Sequence, residues 1–124
     1  MVLPLAKEVT VRRLSPESFR RAGQFLKTKA RPLDRARFEH RFEAAPADAV
    51  IEELAPYQNA DGGFGHALEP DVRTPSSSAL ATGIALGMLK ELGQPADHPM
   101  VSGGIAFLFR SFDAEAAVWR VIPD

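Results

Sequence analysis

The chain reads as an all-α domain, and three observations carry that reading. Apolar residues recur at helical spacing in five successive stretches. No stretch shows the two-residue alternation of a strand, and Pro, Gly and short polar clusters punctuate the stretches as helix starts and stops. At 124 residues there is enough chain for one buried core and too little for two.

Residues 1–14 show no periodicity, and "EVTVRR" reads as a short extended arm, leaving 15–124 as the domain proper. Ser15 before Pro16 is an N-cap followed by proline at the first helical position. The helix it opens sets Phe19, Ala22, Leu26 and Ala30 at helical spacing, and Pro32 ends it. Asp34 is the expected cap of a second helix, which carries Phe38 and Phe42 one turn apart and is broken by "AAPA" at 44–47. A third helix points Val50, Ile51 and Leu54 inward and Asp48, Glu52 and Glu53 outward, with Pro56 disturbing its end. The fourth is expected from Thr74-Pro75 to the stop signal Leu92-Gly93. It is apolar or small nearly all round, which predicts burial on every side, with Gly83 and Gly87 admitting close neighbours. Asp97 is the expected cap of the fifth, with Pro99 in its first turn and Val101, Ile105, Leu108 and Phe112 on one face.

Between the third and fourth helices lies "YQNADGGFGHALEPD", residues 57–71. Gln58 can bond backbone at a neighbouring helix end through both its amide oxygen and nitrogen. Asp61 can accept from the amides of Gly63 or Phe64, while Gly62 and Gly63 supply positive φ. Phe64 is then the apolar plug under the turn, and Gln58, Asp61 and Phe64 are expected to be buried. These five positions make a helix-to-helix clamp.

The same residues carry a resemblance. Gln58-Asn59-Ala60-Asp61-Gly62-Gly63-Phe64-Gly65 resembles the glutamine–aromatic repeat motif of squalene–hopene cyclases and protein prenyltransferase β subunits. With "FLKTKARPLDRARFEHRF", "YQNADGGFGHALEPDVRTPSSSALAT" and "ALGMLKELG", residues 19–120 look like the front of bacterial proteins with prenyltransferase/squalene-oxidase repeats. The resemblance implies helical hairpins around an α/α toroid. A full toroid has about twelve helices against about five here, so an incomplete one is expected, with the missing repeats or a second copy of the chain as partner. "FLFRSFDAEAAVW" (107–119) repeats the outline of Leu54 to Phe64, with Glu115 standing 54 residues after Asp61, Ala116-Ala117 in place of the glycines, and Trp119 as a second plug. "FLKTKARPLDRARF" (25–38) repeats that outline again.

The family's chemistry does not come with the motif. No "DXDD" proton-donor run is present, and with no cysteine the Asp/Cys/His zinc site of prenyltransferases cannot form. No catalytic residue transfers, no cofactor or metal is expected, and neither cyclase nor prenyltransferase activity is expected of the chain. His66, Glu69 and Asp71 form an H-x-x-E-x-D cluster that supplies three ligand atoms for a metal or contacts for a substrate. Against that, Glu69 and Asp71 suit the N-terminus of the fourth helix, and Pro70 limits their convergence. Ser76-Ser77-Ser78 reads as helix-start hydroxyls, and His40 and His98 as surface residues. Residues 1–43 hold eleven Lys/Arg against five Asp/Glu, and 44–124 hold four against eleven. Without interleaved aromatics this split marks solvated helix faces and not a nucleic-acid surface. No leader or membrane-length apolar run is seen, so a cytoplasmic chain is expected. The function expected is association as a non-catalytic helical-repeat module. The alternative is part of an α/α-toroid enzyme acting on an isoprenoid-like or polymeric substrate in a central cleft.

Overall fold

The computed structural model describes residues 11–123. Most of the expected arm therefore lies outside the described residues, and 11–14 is exposed without helix or strand. Helix α1, Pro16–Lys29, starts as Ser15-Pro16 dictates, with Ser15 Oγ accepting from the Ser18 amide at 3.1 Å. Its inward residue is Gly23, which lets the Phe38 ring sit against the backbone, whereas Phe19 and Ala22 are exposed. Phe19, Phe38 and Phe42 still meet, with ring centroids 5.2–6.0 Å apart, because aromatic edges and faces attract.

Helix α2, Pro32–Phe42, is entered through Arg31, so Asp34 falls inside the first turn and caps nothing. Pro32 moves the start forward because proline is favoured at the first helical position. Asp34 pairs with Arg31 instead, Nε to carboxylate at 2.7 Å. Helix α3, Ala47–Leu54, matches its pattern: Val50 and Leu54 are fully buried, Ile51 packs on the core, and Asp48, Glu52 and Glu53 are exposed. Pro56 tightens the chain into a single 3-10 turn, Ala55–Tyr57.

Helix α4, Ala79–Glu91, begins later than Thr74-Pro75 suggests. The preceding segment is held extended by Ser78, whose amide donates to the Phe64 carbonyl at 3.0 Å, and Ser78 Oγ then caps the Ala81 amide. Burial on every side is also corrected. Ala81, Thr82, Ala85, Met88 and Leu89 face the core, but Gly83 and Gly87 are exposed, with nothing within 4 Å of where a Cβ would stand. The close approach is made by α5, Pro99–Ser111, where a Cβ on Gly104 would lie 3.0 Å from Leu86 Cδ2. His98, not Asp97, caps α5, its Nδ1 accepting from the Met100 amide at 3.2 Å. The buried face of α5 runs through Met100 and Gly104, so Ile105 and Phe112 of the expected stripe are exposed.

A small antiparallel hairpin follows: β1, Phe112–Asp113, pairs with β2, Val118–Trp119, in the register Phe112 to Trp119 and Asp113 to Val118. The all-α class holds, with this two-residue pairing added. Helix α2 packs on α1 and α3, and α4 packs on α5. One core joins them, centred on Leu33, Val50, Leu54, Phe64, Ala85 and Leu89. Among the described residues no helix is long and apolar enough to cross a membrane.

Candidate functional site

The glycine segment is a hairpin. Gln58 and Phe64 bridge antiparallel, Phe64 bridges Ser78 on its other side, and the turn closes with Asn59 N–H to Gly63 O at 2.8 Å and Gly62 N–H to Asn59 O at 3.0 Å. Gly62 has φ +85°, and a Cβ there would run into the Gly103 carbonyl of α5. Gly63 does not take the positive φ expected of it. It is needed for space, since its Cβ would lie 2.6 Å from Ser77 Cβ and 2.7 Å from the Phe107 ring.

Each clamp side chain then has a defined partner. Phe64 is fully buried, which stabilises by about 1.5–3 kcal/mol on area alone, and its amide donates to Thr82 Oγ1 at 3.0 Å. Asp61 Oδ1 accepts from the Gly63 amide at 2.9 Å and from Ser77 Oγ at 2.7 Å. Asp61 is exposed and not buried as expected, because an unpaired carboxylate keeps part of its hydration. Gln58 is half-buried and works through its nitrogen alone, donating to Gly62 O at 2.9 Å and to Met100 O at 3.3 Å.

Several residues that hold this site carry no sequence signal of doing so. Asn59 Nδ2 donates to Pro75 O and to Ser77 Oγ, each at 2.9 Å, tying the hairpin to the strand-like run before α4. Arg110 donates to the Asp61 carbonyl from α5. Arg31 spans the corner between α1 and α2 and the loop after the hairpin, donating to Ala67 O at 3.0 Å and Leu68 O at 3.2 Å, with Tyr57 beneath its guanidinium at 5.9 Å. Its hydrogen bond to Asp34 raises its pKa above the ordinary arginine value, against the opposing effect of partial burial. Only the Arg31–Asp34 spacing was readable, since the carbonyl partners are 36 and 37 residues away.

His66, Glu69 and Asp71 do not converge. His66 (φ 56°) lies 2.6 Å from Asn59 Oδ1 through Nε2. Asn59 spends its amide nitrogen on acceptors, so its oxygen faces the ring and His66 carries its proton on Nε2. Glu69 Oε1 accepts from the Asp71 amide at 3.2 Å, a local turn bond remote from the α4 terminus that Ser78 caps. Among the described residues no group of three His, Cys, Asp or Glu is placed to hold a metal ion. No buried side-chain nitrogen or oxygen among them lacks a partner either. The clamp turns its hydrogen-bonding capacity inward, which is the behaviour of a structural device.

Trp119 is half-exposed and is not a second plug; its ring lies 4.6 Å from Phe112 and its Nε1 donates to Leu108 O at 2.8 Å. Asp113, not Glu115, takes the part of Asp61, accepting from the Glu115 and Ala116 amides at 3.1 and 3.0 Å. A cleft of about 550 Å³ opens where α1, α2 and α3 meet the end of α4, with Leu26, Phe38, Val50 and Met88 in its walls. Its rim gathers Arg37, His40, Arg41 and Glu91. Comparison with family models, with curated proteins and with solved structures returned no match.

Proposed function

We propose that the chain is a non-catalytic helical-repeat module of the prenyltransferase/squalene-oxidase repeat kind, and that it works by association with a second copy of itself. The observation that carries the association is the outer face of α5 and its hairpin. Phe109 is 79 % exposed, and Ile105, Phe112, Val118 and Trp119 are between 38 and 47 % exposed beside it. Contiguous apolar surface of this kind is uncommon on a soluble monomer and marks an interface. Two-fold pairing is the commonest closed arrangement, and a stable interface needs roughly 800 Å² per partner. The charge split favours a second copy, since the basic first third of one chain can face the acidic remainder of the other. The repeat reading is supported by the motif at Gln58–Phe64 and by a second helix that runs into a hairpin 54 residues on, Phe112 following Gln58.

Light scattering coupled to size exclusion tests the association. A mass of about twice 13.5 kDa is expected at micromolar concentration, falling to one chain in Phe109→Ser with the melting temperature kept. A single-chain mass for the parent protein, with no apolar dye bound, rejects it. A second reading, part of an α/α-toroid enzyme acting on an isoprenoid-like or polymeric substrate, is favoured only by the cleft, where four polar side chains gather over apolar walls. Turnover of squalene or of a prenyl diphosphate above a no-protein control would establish it over the first.

A further inference from the structure

The cleft beside α2 carries an inference independent of either reading. We propose that it binds a monocarboxylate with an apolar tail of medium length, held by Arg41 and Arg37 over a floor of Phe38, Phe42 and Met88. Arg37, His40 and Arg41 are spaced three and four apart on α2, so they share one side of the helix above the apolar wall. Arg41 has no hydrogen bond or ion pair among the described residues, and Arg37, part-exposed, meets the largely exposed Glu91 only at 3.8 Å. Two guanidinium groups are thus available at one mouth, and a guanidinium presents parallel donors that match a carboxylate.

The head group is narrowed by the rim's own balance. Two arginines against Glu91 leave one net positive charge, which suits a single carboxylate. A group of two or three negative charges would keep an uncompensated charge next to Phe38 and Phe42, where desolvation is costly. His40 does not hold the head group. Its Nδ1 lies 2.7 Å from the Ala45 carbonyl, which only accepts, so Nδ1 carries the proton. The neutral ring's Nε2 is then an acceptor that a carboxylate cannot use, which leaves the head group to the two arginines. The tail is set by the walls: Leu26, Val50 and Met88 are aliphatic, Phe38 is aromatic, and the volume of about 550 Å³ falls within the span of about 300–1,000 Å³ usual for small-molecule clefts.

Calorimetric titration of the full chain with decanoate, kept below its micelle concentration, tests the proposal, with decanol and decyl diphosphate as comparators. Saturable one-to-one binding is expected, at least tenfold tighter than decanol and tighter than decyl diphosphate. Arg41→Gln, at an exposed position without partners, should weaken decanoate at least tenfold with an unchanged circular dichroism spectrum. Phe109→Ser, on the far α5 face, should leave binding as it is. Absence of saturation, equal affinity for decanol, tighter binding of the diphosphate, an unaltered affinity in Arg41→Gln, or a loss in Phe109→Ser would each overturn it. The Phe109→Ser arm separates this outcome from that of the association, which the same variant is expected to abolish.

Discussion

Two corners of this chain are built on the same outline and end differently. At 58–64 and again at 112–119 a helix runs into an antiparallel turn in which an aspartate accepts from amides two or three residues on. The first turn uses Gly62 at φ +85° and seats Phe64 out of contact with water. The second uses Ala117 at φ 55° and leaves Trp119 against Phe112 with nearly half its surface exposed. What separates them is the strand-like run into Ser78, which pairs along the outer side of Phe64 and carries α4 over it. An aromatic residue after a turn becomes core only where following chain closes over it; the turn by itself decides nothing about burial.

The largest test of that contrast is the aromatic pair. Phe64→Ala should cost about 3–5 kcal/mol in urea unfolding, as emptying a sealed site does, and Trp119→Ala roughly 1 kcal/mol because half its area is already wet. Similar losses at the two positions would remove the distinction. Next come the turn residues, where opposite signs are expected. Gly62→Ala should destabilise by roughly 2–4 kcal/mol through left-handed strain plus overlap with the Gly103 carbonyl. Ala117→Gly should raise stability by up to about 1 kcal/mol by relieving its positive φ. A gain at both sites, or a loss at both, would show that the two turns are not equivalent in backbone demand. A third test is at Thr82, which serves only the first corner. Thr82→Val keeps the shape and strands the Phe64 amide, for a loss of about 1–3 kcal/mol, and chemical denaturation against a Thr82→Ser control separates the hydroxyl from the packing.

Helix number, the Ser15 cap and the inward face of α3 were legible because each is set by residues within a turn or two of one another. The caps at Asp34 and Asp97 were misplaced because neighbouring residues, Arg31 with Pro32 and His98 with Pro99, fix the entry three positions earlier in the first case and one later in the second. Helix α4 misled for a different reason: Leu80, Gly83 and Gly87 lack any charge to mark them as outward, so a one-sided helix looked buried all round. At the clamp, Gln58, Asp61 and Phe64 were visible as a motif. Asn59, Thr82, Arg110 and Arg31 were not, since their partners lie 16 to 49 residues away and only the fold brings them together.

Gln58 reaches Met100 across 42 residues, and Arg110 reaches Asp61 across 49. The first hairpin is therefore finished by a helix that emerges from the ribosome long after the turn itself. Until α4 and α5 dock, the Asp61 carbonyl lacks Arg110, the Gln58 amide lacks the Met100 carbonyl and the Phe64 amide lacks the Thr82 hydroxyl. A nascent chain released only as far as the hairpin at 58–64 would present Phe64 and its open strand edge to solvent, which is the kind of segment that holding chaperones engage during synthesis.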